Sequence, residues 1–303
     1  MQNLTRDFVG YGGEPPHARW PGGARLAINF VVNFEEGSEE SLANGDARTE
    51  FAHTETRASP VPTGRRDLAA ESMFEYGARA GFWRLHRLFR ERDLPYTVFA
   101  CALAIERNPP AAKAIRDAGL DVCCHGWRWI EHYKLDEDQE REHIRRAVAS
   151  LKATLGAAPD GWYCRYGPSE NTRRLTVEQG GFLYDSDSYA DDLPFWLKVG
   201  DVDRLVVPYS LTHNDGQFIR GAVATGGQFF EFLKDGFHVL YAEGAESPKL
   251  MNVGLHMRIV GQPARAAGVA RFLDYVKSFP DVWIAPRNAI ARHWAATHPP
   301  PAG

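Results

Sequence analysis

The chain has 303 residues, of which 44% are hydrophobic and 24% are charged, and its formal net charge is −4. This length suits one large α/β domain with a sizeable core. Because the basic runs are short and the net charge is slightly negative, a nucleic-acid-binding protein is not indicated. No apolar run approaches the roughly 20 residues that cross a bilayer, so we expect no membrane span.

The amino-terminal segment and the cysteines indicate in which cellular compartment the protein resides. The opening residues MQNLTRDFVGYGGEPP contain no apolar signal core. Cys101, Cys123, Cys124 and Cys164 all lie in apolar or aromatic stretches, which is typical of buried thiols rather than of a disulfide framework. Both features predict a cytoplasmic protein.

The first elements in chain order are an irregular arm, a strand, a loop and a helix. Residues 1–22 are rich in Gly and Pro and are predicted to pack on the domain as an arm. The near-continuous apolar run from Leu26 to Phe34 predicts a strand that is covered on both faces. Residues 38–66 are polar and predict a long loop near the mouth of the fold, and residues 71–92 show helical spacing.

Strands and helices alternate through the rest of the chain. Predicted strands in YTVFACALA, LDVCC, GWYCRYG, FLYDSDS, LVVPYSL, LMNVGLHMR and VWIAPR are separated or followed by helical patterns. Roughly seven β/α units in one run favour a parallel α/β fold. No Gly-rich nucleotide loop follows the first strand, so a barrel is preferred to a dinucleotide-binding sheet. Without a repeat or a clear linker, residues 1–303 are predicted to form one domain.

Polar and aromatic residues cluster where the predicted strands end. In α/β barrels the carboxyl ends of the strands form the active site. Each residue there has a plain structural explanation as a turn, a strand cap, a core histidine or rim packing, and their convergence is what indicates a site. The candidates are Glu35, Glu36, His125, Trp127, Trp129, Arg165, Asp185, Asp187, Tyr189, Trp196, His256 and Arg258.

This set of side chains suits hydrolysis of an amide-type C–N bond. A carboxylate can take a proton from water, and an imidazole can protonate a leaving nitrogen. A metal or fixed donors would stabilise the oxyanion. There is no GxSxG segment and no recognisable Cys–His arrangement, so a covalent acyl-enzyme is disfavoured.

The chain resembles the polysaccharide deacetylase superfamily and, within it, the branch of PuuE-type allantoinases. The segments NFEEGSE, ESMFEYGARAGFWRL, HGWRWIEH, NTRRLTVEQGGFLYDSDSYADDLPFW and GLHMRIVGQPAR carry the resemblance over nearly the whole chain. It implies a deformed (β/α)₇ barrel of the polysaccharide deacetylase (NodB-homology) type. It also implies a homo-oligomer, since relatives in this branch tend to be tetramers.

The resemblance assigns roles by position. Glu35 and Glu36 occupy the first motif, where the superfamily normally has an aspartate base and a zinc-binding aspartate. His125 matches the first histidine of the second motif. Arg165 matches the arginine of the third motif, and the fourth-motif aspartate falls within residues 185–187. His256 matches the general acid of the last motif.

Two departures from the superfamily pattern bear on cofactor and substrate. Trp129 stands where the second zinc histidine is expected, and an indole cannot ligate zinc. Together with the metal-independent branch that the chain resembles, this predicts an enzyme that needs no metal; the alternative is zinc or another divalent ion at Glu36 and His125. The segment GWYCRYGPSENTRR differs from the allantoinase pattern, which leaves the identity of the substrate open.

The leading hypothesis is an amidohydrolase that opens a small cyclic amide such as allantoin, another ureide, a hydantoin or an imide. Glu35 would activate water, oriented by Arg165 and an aspartate at 185 or 187, and His256 would protonate the leaving nitrogen. Glu36, His125 and Arg258 would bind the substrate, and an aromatic rim of Trp127, Trp129, Tyr189 and Trp196 would enclose a flat ring. The alternatives are an N-deacetylase of N-acetylated sugars or peptidoglycan, and a non-catalytic binding protein on the same scaffold.

Overall fold

The computed structural model describes residues 6–56 and 58–301, and in that part of the chain one sheet of nine strands is surrounded by ten helices. The strands are β1 (Leu26–Phe34), β2 (Thr97–Ala100), β3 (Asp121–Cys124), β4 (Gly161–Trp162), β5 (Tyr184–Asp185), β6 (Phe195–Val199), β7 (Val202–Val206), β8 (Lys249–His256) and β9 (Val282–Ile284). The helices are α1 (Leu68–Tyr76), α2 (Phe82–Arg90), α3 (Ala102–Glu106), α4 (Pro109–Asp117), α5 (Glu137–Leu155), α6 (Thr172–Gln179), α7 (Gly216–Arg220), α8 (Gly226–Glu243), α9 (Pro263–Lys277) and α10 (Arg287–Thr297).

The strand order is β6-β7-β5-β4-β3-β2-β1-β8, and β9 also pairs with β1. β8 runs along one edge of β1, while β2 and β9 share the other edge, all in parallel. The sheet curls into a deformed (β/α)₇ barrel, which confirms the predicted fold class. β6 and β7 form an antiparallel hairpin, which the regular β/α pattern did not predict.

β1 is buried along its whole length, as its apolar pattern predicts. One face packs against the outer helices, where the Phe30 ring lies 5.4 Å from Phe89 and 6.2 Å from Phe272. The other face, with Ala27 and Val31, looks into the barrel. A strand covered on both sides holds the residue that follows it, Glu35, in a fixed position.

The predicted helix at 71–92 is interrupted by a π-helical segment, Gly77–Gly81, between α1 and α2. A Cβ at Gly81 would lie 2.0 Å from the carbonyl oxygen of Met257, and one at Gly77 would lie 2.4 Å from the Glu36 carboxyl group. The glycines therefore let this helix approach the ends of β1 and β8 closely. Wider helical turns of this kind are frequent at functional sites.

The arm contacts the barrel through Tyr11 and Trp20, whereas Phe8 and Val9 are exposed. Trp20 is buried among Trp283, His293 and Trp294, and its indole N–H donates to the carbonyl of Lys249 at 2.9 Å. Residues 1–5 of the predicted arm lie outside the described part of the chain.

The four cysteines are buried and free, as predicted. Cys123 and Cys124 are neighbours on β3, and they lie in different core clusters because successive side chains of a strand point to opposite faces. Among the described residues, no helix combines the length and apolar character needed to cross a membrane.

Candidate active site

The carboxyl ends of the parallel strands bring four predicted residues to one buried pocket. Glu35 follows β1, His125 follows β3, Arg165 follows β4, and His256 is the last residue of β8. The strand registers place these ends at one level, since Phe34 pairs with Ala100, Ala100 with Cys124, and Asn33 with His256. The pocket is lined by Asn33, Glu35, His53, His125, Trp129, Tyr163, Arg165, Tyr166, Tyr209, Leu211, Asn214 and His256.

Glu35 is a buried carboxylate surrounded by positive or donor groups. Its Oε2 accepts a hydrogen bond from Arg258 Nη1 at 2.7 Å, and its Oε1 lies 3.2 Å from His125 Nε2 and 3.6 Å from His256 Nε2. Burial alone would raise the pKa of Glu35, but Arg258, His256 and the hydrogen bond with His125 hold it well below the usual range. Glu35 is therefore ionised at neutral pH.

Asp215 holds His256 in a single orientation. The Asp215 carboxylate lies 2.6 Å from His256 Nδ1 and also accepts hydrogen bonds from the His256 and Val260 backbone N–H groups. Burial opposes a charged imidazole, yet the carboxylates of Asp215 and Glu35 outweigh it and raise the pKa of His256 above its usual value. Because Nδ1 donates to Asp215, Nε2 faces Glu35 with a proton when the imidazole is charged and with a lone pair when it is neutral.

Glu36 points away from the pocket. It accepts hydrogen bonds from the backbone N–H groups of Arg258 and Glu35 at 3.2 and 3.1 Å, and it lies against Gly77. Burial raises the pKa of Glu36 to about 7. The guanidinium of Arg258 opposes this shift, and the negative charge of Glu35 adds to it. Glu36 was predicted to bind the substrate. In the structure its carboxyl group instead fixes the turn that carries Arg258.

The donor set does not fit the zinc site that is usual in the superfamily. Among the described residues, no group of three or more His, Cys, Asp or Glu side chains is arranged to hold a metal ion. Glu36 is bound to backbone N–H groups, Trp129 fills the place expected for the second histidine, and the nearby His132 is buried against Glu140. The positive charge next to Glu35 is the guanidinium of Arg258.

Arg165 lines the pocket, but its carboxylate partner is not Glu35. Its Nη1 donates to Glu50 at 2.6 Å and to the carbonyl of Trp129 at 3.2 Å, and its guanidinium packs 3.8 Å from the Trp129 ring. Arg258 packs on the same indole at 4.8 Å. Arg258 therefore makes the contact with Glu35 that was predicted for Arg165. Arg258 lies nearer because it follows β8, which is directly beside β1.

Asp185 and Asp187 lie outside the pocket lining. Asp185 is paired with Arg173 and Arg204 at 3.1 and 3.3 Å. Asp187 accepts hydrogen bonds from the Trp162 indole and the Cys164 backbone N–H, both at 3.0 Å. Burial, together with Asp185, raises the pKa of Asp187 to about 7. These carboxylates fix the ends of β4 and β5 rather than orienting Glu35.

The predicted aromatic rim is only partly assembled. Trp129 lines the pocket, and Tyr189 stands next to it with its hydroxyl 2.8 Å from that of Tyr163. Trp127 instead packs under Arg146 at 3.8 Å. Trp196 lies on the β6–β7 hairpin and donates to the carbonyl of His298, away from the strand ends that form the pocket. Trp196 was wrongly predicted to lie on the rim because the sequence pattern did not reveal the hairpin.

Several pocket residues were missed from the sequence. Asn214 and Tyr209 line the pocket after β7, and Asp215 lies behind His256 as its partner. The polar run THND at 212–215 was a usable signal, because it comes after a predicted strand. Asn33 alternates into the barrel from β1, so strand periodicity also indicated it. His53 had no such signal, because it lies within a long loop.

The Tyr209 hydroxyl is placed to donate into the pocket. Its oxygen accepts hydrogen bonds from the Asn214 and Asn33 amide groups at 3.2 and 3.4 Å. Because both amides are donors, the hydroxyl hydrogen is left for a ligand. The pocket thus combines a carboxylate, an imidazole whose pKa is raised and a hydroxyl donor, a set that suits water addition to a carbonyl group.

Comparisons with known proteins show the family and the fold of this chain. The polysaccharide deacetylase family profile matches residues 65–184. A putative polysaccharide deacetylase of Schizosaccharomyces pombe is 38% identical over 97% of this chain and 98% of its own length. Two solved structures are each 48% identical: a probable polysaccharide deacetylase from Pseudomonas aeruginosa PAO1 (TM-score 0.93, covering 97% of this chain and 99% of that one) and the PuuE allantoinase (TM-score 0.94, covering 98% and 99%).

The full-length relative and the two structural matches share this fold from end to end. The relative from S. pombe is named for polysaccharide deacetylation, whereas one of the two structures is named for allantoin hydrolysis. The chain belongs to the polysaccharide deacetylase family, in the branch that contains the PuuE allantoinase.

Proposed function

We propose that this protein hydrolyses the amide C–N bond of a small cyclic amide, with a cyclic ureide such as allantoin as the leading substrate. The observation that carries the proposal is the pocket in which the buried Glu35 carboxylate faces His256 Nε2 at 3.6 Å, with His256 Nδ1 held by Asp215. The similarity to the PuuE allantoinase over 98% of this chain supports the substrate class.

In the proposed reaction, Glu35 takes a proton from water as the water oxygen attacks the ring carbonyl carbon. The Tyr209 hydroxyl donates to the carbonyl oxygen as negative charge develops there. The C–N bond then breaks while His256 gives its Nε2 proton to the leaving nitrogen. The proton on Glu35 returns to His256 across the short gap between them, so one water molecule is added and both groups are restored.

We further propose that the reaction needs no metal. In a zinc-dependent hydrolase the metal polarises the carbonyl and activates the water. Here Arg258 supplies the positive charge beside Glu35, and two donors, Tyr209 and His256, face the reacting atoms. A guanidinium is always protonated, so it holds the carboxylate ionised without coordinating water.

The pocket does not by itself separate a small ring from a sugar. Its free volume is about 10 Å³, room for about one water molecule, which is too small for either substrate as the side chains stand. The preference for a cyclic amide over an N-deacetylase of sugar polymers, the alternative that the family name suggests, is supported by the similarity to the PuuE allantoinase.

Turnover assays separate the two activities. The purified protein is incubated with allantoin, hydantoin, dihydrouracil and succinimide, and ring-opened products are measured by chromatography. Chito-oligosaccharides are tested in parallel for release of acetate. Ring opening of at least one cyclic amide is expected. Acetate release without any ring opening would show that the protein is a deacetylase, and no turnover in either assay would favour a binding role.

A further inference from the structure

His53 is a pocket residue that none of the assigned roles covers. It lies on the loop between β1 and α1, and its ring lines the same pocket as Glu35 and His256. Its backbone carbonyl accepts a hydrogen bond from Arg258 Nε at 2.9 Å. The guanidinium that holds Glu35 therefore also holds His53.

The backbone of His53 is held in an unfavourable conformation. Its φ is +56°, in the left-handed region that costs a residue with a Cβ about 1 kcal/mol or more. Contacts on this segment hold it in place: Arg258 Nε donates to the His53 carbonyl, and Glu50 binds Arg165 at 2.6 Å and accepts from the backbone N–H groups of Phe51 and Ala52. Strain that the surroundings maintain in this way is characteristic of functional positions.

The imidazole of His53 has unused hydrogen-bonding capacity. Its ring stacks on Tyr166 at 5.9 Å and meets His256 edge-on at 5.3 Å. Nδ1 is buried and makes no hydrogen bond within the described part of the chain. A buried polar nitrogen without a partner is unfavourable, and a ligand in the pocket would supply that partner.

His53 also stays uncharged. Burial, together with the positive charges of His256 and Arg258, lowers the pKa of His53 to about 2. A neutral imidazole offers one donor and one acceptor. The unpaired Nδ1 can accept from the N–H or donate to the C=O of a ring amide, according to the tautomer, and it offers no charge to a carboxylate.

We propose that His53 is a specificity-determining residue that hydrogen-bonds the ring amide of the substrate. The inference rests on the proposed function and deepens it: the site selects uncharged cyclic amides.

Two substitutions at this position separate the side chain from the backbone. Gly and Asn both adopt positive φ readily, but only Asn keeps a donor and an acceptor. Wild type, His53→Gly and His53→Asn are compared by KM and kcat on a cyclic amide that the wild type opens, with thermal melting to confirm folding. We expect His53→Gly to raise KM about tenfold with a smaller change in kcat, and His53→Asn to recover most of the loss.

The outcomes are distinguishable from a failure of the proposed function. If the wild type opens no cyclic amide, the proposed function fails. If the wild type is active and folded His53→Gly has an unchanged KM, the proposed role of His53 is overturned. An equal loss in folded His53→Gly and His53→Asn would also overturn it, because Asn retains the hydrogen-bonding groups.

Discussion

Arg258 and Arg287 are both buried in this barrel, and their partners differ in charge. Arg258, after β8, binds the carboxylates of Glu35 and Glu36 at 2.7 and 3.2 Å. Arg287, at the start of α10, binds only neutral oxygens, which belong to Asn29, Ser186, Val207, Pro208 and Asn252. The ion pair of Arg258 with Glu35 faces the pocket, whereas the Arg287 guanidinium lies within the barrel, below the pocket.

The difference shows how one residue type serves two purposes. A buried cation that is solvated by neutral amides and carbonyls ties strands together but has no base beside it. A buried cation that is paired with a carboxylate keeps that carboxylate ionised in a pocket that excludes water. We therefore expect chemistry to depend on the Arg258 region and stability to depend on the Arg287 region.

Removal of the base should have the largest effect. Glu35→Gln keeps the size of the side chain but cannot accept the proton from water. We expect kcat for ring opening to fall by about 10³-fold or more, with thermal melting close to that of the wild type. Retention of more than a tenth of the activity would mean that another group acts as the base.

The two arginines can be compared directly with the same substitution. Arg258→Met removes the largest of the groups that oppose the effect of burial on Glu35, so the pKa of Glu35 rises. We expect kcat/KM at neutral pH to fall about 10²-fold, with the acid limb of the pH profile moved to higher pH.

Arg287→Met is the matched control. It leaves several buried oxygens without a donor, so we expect a loss of roughly 3 kcal/mol in the free energy of unfolding. Activity per folded molecule should stay near that of the wild type at temperatures well below melting. If the folded variant were inactive, the separation between the two regions would be wrong.

Asp215→Asn should have an intermediate effect on activity. The raised pKa of His256 depends on the Asp215 carboxylate, and the acid must be protonated to act. Wild-type activity should therefore decline as pH rises through the His256 pKa, and in Asp215→Asn this decline should begin at lower pH. We expect kcat at neutral pH to fall about 10- to 100-fold, and an unmoved alkaline limb would contradict the assignment.

Glu36→Gln should have the smallest effect on activity and a visible effect on stability. The pKa of Glu36 in the fold is about 7, above its usual 4.5, so the folded state binds more protons between these pH values. Wild-type stability should therefore fall as pH rises from 5 to 8, by about 1–3 kcal/mol from this group. Chemical denaturation at several pH values should show a weaker dependence in Glu36→Gln.

The strands and the residues at their ends were predictable, because they follow from local patterns. Apolar periodicity located β1 and β8, and the rule that barrel sites lie at strand ends is enough to bring Glu35, His125 and His256 together from the sequence. The pairing of the charged residues was harder to predict from the sequence. Arg165 and Arg258 both follow strands, and only the strand order shows that Arg258 is beside Glu35.

Loops and hairpins account for the site residues whose positions were not predicted from the sequence. Trp196 was assigned to the rim because the β6–β7 hairpin has no β/α signature. His53 was not found, since periodicity says nothing about where a long loop lies in space. Its position depends on tertiary contacts such as that between Glu50 and Arg165, which join residues far apart in the sequence.

The central claim is that Arg258, rather than a metal ion, provides the positive charge beside the catalytic carboxylate. The most direct test measures allantoin ring opening by the purified protein before and after exhaustive chelation, with metal content determined on the same samples. We predict an unchanged rate in metal-free protein. Loss of activity on chelation and its recovery on addition of zinc would contradict the account.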